Sequence, residues 1–137
     1  MAFLDVNWLG IILATIASMA LGMAWYMGLS KQWMAALGKT AEDIKAGGTV
    51  SPFVWAAAAQ FVMAYFIAKL TPAVMGELTW VTGLAMGAHV WVGFIITAMV
   101  LNHRYQGQKW ALTLIDGLYL LGVVLVQGVV LGLAGAP

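Results

Sequence analysis

Residues 109–133 read KWALTLIDGLYLLGVVLVQGVVLGL, an apolar run interrupted by one acid, Asp116, and one amide, Gln127. A bilayer core of roughly 30 Å is crossed by about 20 helical residues rising about 1.5 Å each, so this run is long enough to span it. Three more runs of the same kind lie upstream, at 7–28, 52–71 and 78–101. Together they take up most of the chain and leave no room for a soluble domain. The expected fold is all-α, a single domain over 1–137. It is an integral-membrane antiparallel four-helix bundle whose short connections keep sequential helices adjacent.

Composition points the same way. Of 137 residues, 64% are hydrophobic and only 8% charged, against about 25% charged in a typical soluble domain, so the chain could not cover a water-facing surface. Mean hydropathy is +0.95. A net charge of +1 without a basic face argues against nucleic acid as a partner. With no Cys there is no disulfide, thiolate metal site or redox pair. The start, Met-Ala-Phe-Leu-Asp, has no basic n-region, so the first run is read as a retained helix and not a signal peptide.

Lys31, Lys39, Lys45, Arg104 and Lys109 lie in the connections after the first and third runs, and only Lys69 on the opposite side. The positive-inside rule then places loops one and three in the cytoplasm and both termini outside, with the bacterial inner membrane as the expected location. The longest loop begins Ser30-Lys-Gln-Trp-Met-Ala-Ala-Leu and stops at Gly38, which predicts a short interfacial helix with Trp33, Met34 and Leu37 as its apolar face. Thr40 followed by Glu42 and Asp43 predicts a second short helix start, broken by Gly47-Gly48. Pro52 is expected at the first position of the second span.

Polar groups inside hydrocarbon need an account. Asp116 would lie about 10 Å deep, where a carboxylate must be paired, protonated or wet. It is either a proton-titrating or cation-attracting site, or a structural pair with His103, Arg104 or Lys109. His89 falls near the middle of its span and could relay protons or hydrogen-bond a neighbouring helix. Gln60 and Gln127 suit interhelical hydrogen bonding. Asp116 and Gln127 share one face of their helix, and His89, Gly93 and Thr97 share one of theirs. Facing these stripes would gather Asp116, His89, Gln60 and Tyr119 into an intramembrane polar cluster. Gly83 and Gly87, like Gly128 and Gly132, have the spacing of close helix packing, and one such face could serve a second protomer. No nucleophile elbow, phosphate-binding glycine loop or zinc-ligand spacing is present, so no enzyme activity, catalytic residue, metal or cofactor is expected.

Leu21-Gly22-Met-Ala-Trp25-Tyr26, then Trp91-Val-Gly93-Phe94, Asn102-His103-Arg-Tyr105-Gln-Gly107, Lys109-Trp110 and Leu114-Ile-Asp116-Gly117-Leu-Tyr119 form a pattern. It resembles the small bacterial membrane-protein family known as domain of unknown function 1761, nearly end to end. The resemblance implies a compact four-helix membrane unit and no particular activity. It also implies that Trp25, Tyr26, Asn102 and His103, with Arg104 beside them, act with Asp116 and Tyr119 near the cytoplasmic face.

Two functions follow as expectations. The leading one is a non-enzymatic packing or assembly unit, either a homo-oligomer or an accessory subunit of a larger membrane complex, with the lipid bilayer and other membrane proteins as its partners. The alternative is a small channel or transporter for protons or a small solute, using Asp116 and His89. Lipid or quinone binding near Trp91 and Tyr119 is a third possibility.

Overall fold

The computed structural model describes residues 2–137, and every regular element among them is helical. Four helical stretches are long and apolar enough to cross a membrane: Trp8–Gly28, Val50–Met75, Trp80–Tyr105 and Trp110–Ala134. The first is α1, the second α4 and the fourth α7. The third is divided into α5 (Trp80–Val90), a π-helical turn (Trp91–Ile95) and α6 (Ile96–Tyr105). Two short helices, α2 (Ser30–Leu37) and α3 (Ala41–Ala46), fill the loop between α1 and α4.

Local signals set the boundaries. Asn7 caps α1, its side-chain oxygen accepting from Gly10 N–H at 3.0 Å. Gly38 ends α2 at φ 72°, in the left-handed region that a glycine takes without strain. Thr40 and Asp43 close a reciprocal capping box on α3. Several boundaries differ from those expected, the second span running on to Met75. Helix α4 begins at Val50, so Pro52 is its third residue and not its first. Its missing N–H is still one of the unpartnered donors of a first turn, which makes the position tolerable. The third span runs on through Asn102-His103-Arg104 to a stop at Gly107 (φ 68°).

Helix α7 is the central element, packed against α1 on one side and α5 on the other, with α4 closing against α1, α5 and α7. The α5–α7 seam is made of glycines. A Cβ on Gly83 would overlap the backbone of Gly128, one on Gly87 would sit 2.5 Å from Val124 O, and one on Gly132 would overlap the backbone of Thr79. All four glycines that the sequence offers for helix packing are therefore used within one chain, and none of these faces remains for a second protomer.

The π turn keeps this seam continuous. Gly83, Gly87 and Trp91 follow one another at intervals of four on the α7 side. The extra residue in the turn then brings Ile96 and Val100 onto that side at an interval of five, where they border a small cavity with Trp110 and Thr113. Trp91 anchors the turn by donating its indole N–H to Gly117 O at 2.7 Å.

Candidate functional site

The bundle has two unlike ends. At the end carrying the termini, Asn7 Nδ2 donates to the carbonyls of Ala134 and Gly135, each at 3.3 Å, and Tyr65 donates its hydroxyl to Phe3 O at 2.6 Å. Lys69 Nζ donates to Ala2 O, and Trp8 stacks on Phe61 and Tyr65. At the end carrying the long loop, residues 50–59 of α4 are half-exposed or exposed, and α6 has no buried residue. The helices diverge there around a cleft of about 550 Å³. Its walls come from α1 (Gly22, Tyr26), α4 (Phe53), α6 (Met99) and α7 (Asp116, Tyr119), and Trp33 of α2 reaches in from the loop.

Antiparallel α1 and α7 bring two of the motif segments into register. Gly22 lies against Tyr119, and a Cβ there would come within 2.9 Å of the phenol ring. Trp25 donates its indole N–H to Ile115 O at 3.1 Å, and Tyr26 donates its hydroxyl to Asp116 Oδ1 at 2.6 Å. Tyr26 also meets two other rings edge-on, Trp33 with centroids 5.4 Å apart and Tyr119 at 5.0 Å. One carboxylate and a row of three aromatic rings thus line the cleft.

From Tyr119 a hydrogen-bonded chain runs into the packed half. Gln60 Nε2 donates to Tyr119 Oη at 2.7 Å, Ser18 Oγ donates to Gln60 Oε1 at 2.6 Å, and Gln127 Nε2 donates to Ser18 Oγ at 3.1 Å and to Gln60 O at 2.9 Å. Ser18 and Gln127 are 0% exposed and Gln60 4%, so the chain ends in the dry core, where Gln127 Oε1 has no partner. Ser18 lies four residues from both Ala14 and Gly22, a spacing that suits helix packing, and nothing in it marks Ser18 as the junction of two glutamines.

The expected polar cluster forms without His89. Asp116 and Tyr119 sit one turn apart on the cleft, and Gln60 binds Tyr119. His89 points outward beside Val92 and Gly93, its Nδ1 2.7 Å from Ala85 O of its own helix. The reason is rotational: His89 is two residues, about 200°, from Gly87, whose face must lie on α7. The His89–Gly93–Thr97 stripe therefore faces away from α7, and the glycine stripe takes the place expected for it.

The residues expected to act together near the cytoplasmic face also divide. Asp116 pairs with Tyr26 instead of a base. Arg104 donates from Nη2 to Thr113 Oγ1 at 2.9 Å and lies 3.7 Å over the Trp110 ring, and His103 Nδ1 is 2.7 Å from the same hydroxyl. Having accepted from arginine, Thr113 has one proton to give, and the imidazole nitrogen can take it. Lys109 reaches Ala35 O at 3.5 Å. Thr113 and Asp116 are three residues apart, about 60° around α7, which turns one toward α6 and the other toward α1. Asn102 is exposed and outside both groups. Helix α2, expected as a short interfacial helix, packs on α7 with Ala36 buried, and its Trp33 borders the cleft.

Residues 9–132 match the family described as protein of unknown function DUF1761. The chain belongs to that family. The matched stretch includes all four long helices nearly whole and every residue of the cleft named above. No curated protein and no solved structure matches the chain.

Proposed function

We propose that this chain is a non-enzymatic integral protein of the bacterial inner membrane, its loop end in the cytoplasm, that holds a small molecule in the cleft between α1, α4, α6 and α7. The observation that supports this best is the placement of Asp116. A carboxylate that accepts from the Tyr26 hydroxyl, with no basic side chain bonded to it, stands in a mostly apolar cleft whose volume, about 550 Å³, falls within the range of ligand sites. The opposite half of the bundle is packed more closely, with the α5 and α7 backbones in contact along the glycine seam. Native mass spectrometry of the protein extracted in a mild detergent tests the reading. The wild type should retain a small-molecule adduct that Tyr26→Phe and Asp116→Asn lose. A stoichiometric complex with other membrane proteins, unaffected by either substitution, would overturn it in favour of an accessory role.

The assembly reading keeps a narrower basis. The glycine pairs that suggested a homo-oligomer are occupied within the chain. What remains is His89, an imidazole on an outward face beside Ala88 and Gly93. A proton or solute path through both Asp116 and His89 would have to cross the α5–α7 seam, and liposome flux unchanged by Asp116→Asn would remove it.

A further inference from the structure

We infer that the cleft selects lipophilic organic cations, molecules with a single ammonium- or phosphonium-type charge carried on apolar groups; this deepens the binding reading and rests on it. Three observations converge. First, Asp116 is the only carboxylate among the described residues of the cleft wall. The bases nearest in sequence are engaged elsewhere, Arg104 by Thr113 and Trp110, His103 by Thr113, and Lys109 by Ala35. A carboxylate in a low-dielectric groove with only neutral donors beside it attracts a positive charge. Second, Trp33, Tyr26 and Tyr119 form a row of rings beside it. Aromatic faces carry negative potential and hold desolvated cations, quaternary ones included, which need no hydrogen bond from the site. Third, the remaining wall is apolar and adaptable, with Phe53 and Met99 among its members. Leu120 borders both this cleft and a second, wholly apolar one of about 360 Å³ between α4 and the third span, a place for the apolar part of the ligand. An anion would meet Asp116 unfavourably, and a strongly hydrated cation would find too few oxygens to replace its water.

Tetraphenylphosphonium and tetraphenylborate have the same shape and opposite charge, which isolates the charge term. Equilibrium binding of each is measured on the full chain in nanodiscs of zwitterionic phosphatidylcholine, with empty discs subtracted. Saturable binding of the phosphonium alone is expected, weakened at least about tenfold by Asp116→Asn, as loss of one charge-assisted contact implies. Asp116→Glu keeps the charge and should restore it. Trp33→Ala lies outside the spans, so a severalfold loss there would not reflect a misfolded bundle. Equal saturable binding of both ions, unchanged by Asp116→Asn, would overturn cation selection and leave a binding cleft. Saturable binding of neither ion, together with no adduct in the mass spectrum, would overturn both.

Discussion

Where α5 passes α7 near the termini, glycine backbones touch and no side chain fits between them. Thirty or so residues away along the chain, the first turns of α4 stand clear of α6 around a cleft. Both regions are built from the same apolar alphabet, and neither is distinguished by hydropathy. In lipid, apolar side chains gain little by leaving the solvent for one another, so close packing depends on small residues and hydrogen bonds. Gly83, Gly87, Gly128 and Gly132 concentrate that means at one end. At the other, α4 offers Phe53, Val54 and Trp55, which cannot approach a neighbouring backbone. The cleft is the consequence, and α1 and α7, in register through Gly22 and Tyr119, hold its polar wall.

The sharpest way to break this contrast is labelling, because the chain has no Cys of its own. Ala64→Cys, at a position fully buried in the packed half, should react with a soluble maleimide only on unfolding. Ala56→Cys, on the cleft, should react in the native state. Similar rates would mean the two halves are equally open.

Gly83→Val should destabilise the bundle at or beyond the upper end of the roughly 1–3 kcal/mol that overpacking costs, since the obstruction is backbone and cannot move aside. Gly93→Ala, with nothing within 4 Å of the new methyl, should stay within about 1 kcal/mol of wild type. Denaturant unfolding followed by circular dichroism reads both.

Gln60→Leu removes the buried acceptor of the Ser18 hydroxyl and the donor to Tyr119 Oη, and should cost about 2 kcal/mol in the same assay. Tyr26→Phe removes one bond to a carboxylate that faces an open cleft, and about 1 kcal/mol is expected. If Tyr26→Phe proves the more damaging, the loop half is the more tightly determined of the two.

The smallest effect lies outside the spans. Hydrogen bonds from the Thr40 backbone N–H to the Asp43 carboxylate hold that carboxyl below its usual range. A folded-state pKa that is lowered contributes stability above the unfolded value of about 3.9, and that contribution is lost as pH falls through the lowered one. Protection factors of the α3 amides, referred to the intrinsic exchange rate at each pH, should therefore fall on acidification below about pH 4, with those of the four long helices unaffected.

Much of the scaffold was legible because one-dimensional signals fixed it. Run length gave four long helices, Asn7, Gly38 and Thr40 marked caps or stops, and glycine spacing marked packing faces. The site was legible in part. Asp116, Gln60 and Tyr119 were visible as polar groups in apolar runs. His89 was misplaced because a face was assigned to its stripe without knowing that the glycines would claim the α7 side. Trp33 was legible as part of the apolar face of a loop helix but not as a wall of the cleft, since such a face has the same pattern whether it meets lipid or protein. The π turn left no signal that periodicity could report: one inserted residue shifts a stripe by about 100°, and in a helix apolar all round every stripe looks alike.

The sequence by itself determined that the chain forms four long apolar helices, where most of them begin and end, and which glycines permit close contact, because these follow from residue type along a single helix. Only the tertiary structure decided which faces meet. The glycine seam fixed the rotation of the third span and sent His89 outward. The antiparallel register of α1 and α7 then gave Asp116 to Tyr26 instead of to a base. Rotation about a helix axis costs an isolated apolar helix almost nothing, so only contact between helices selects it.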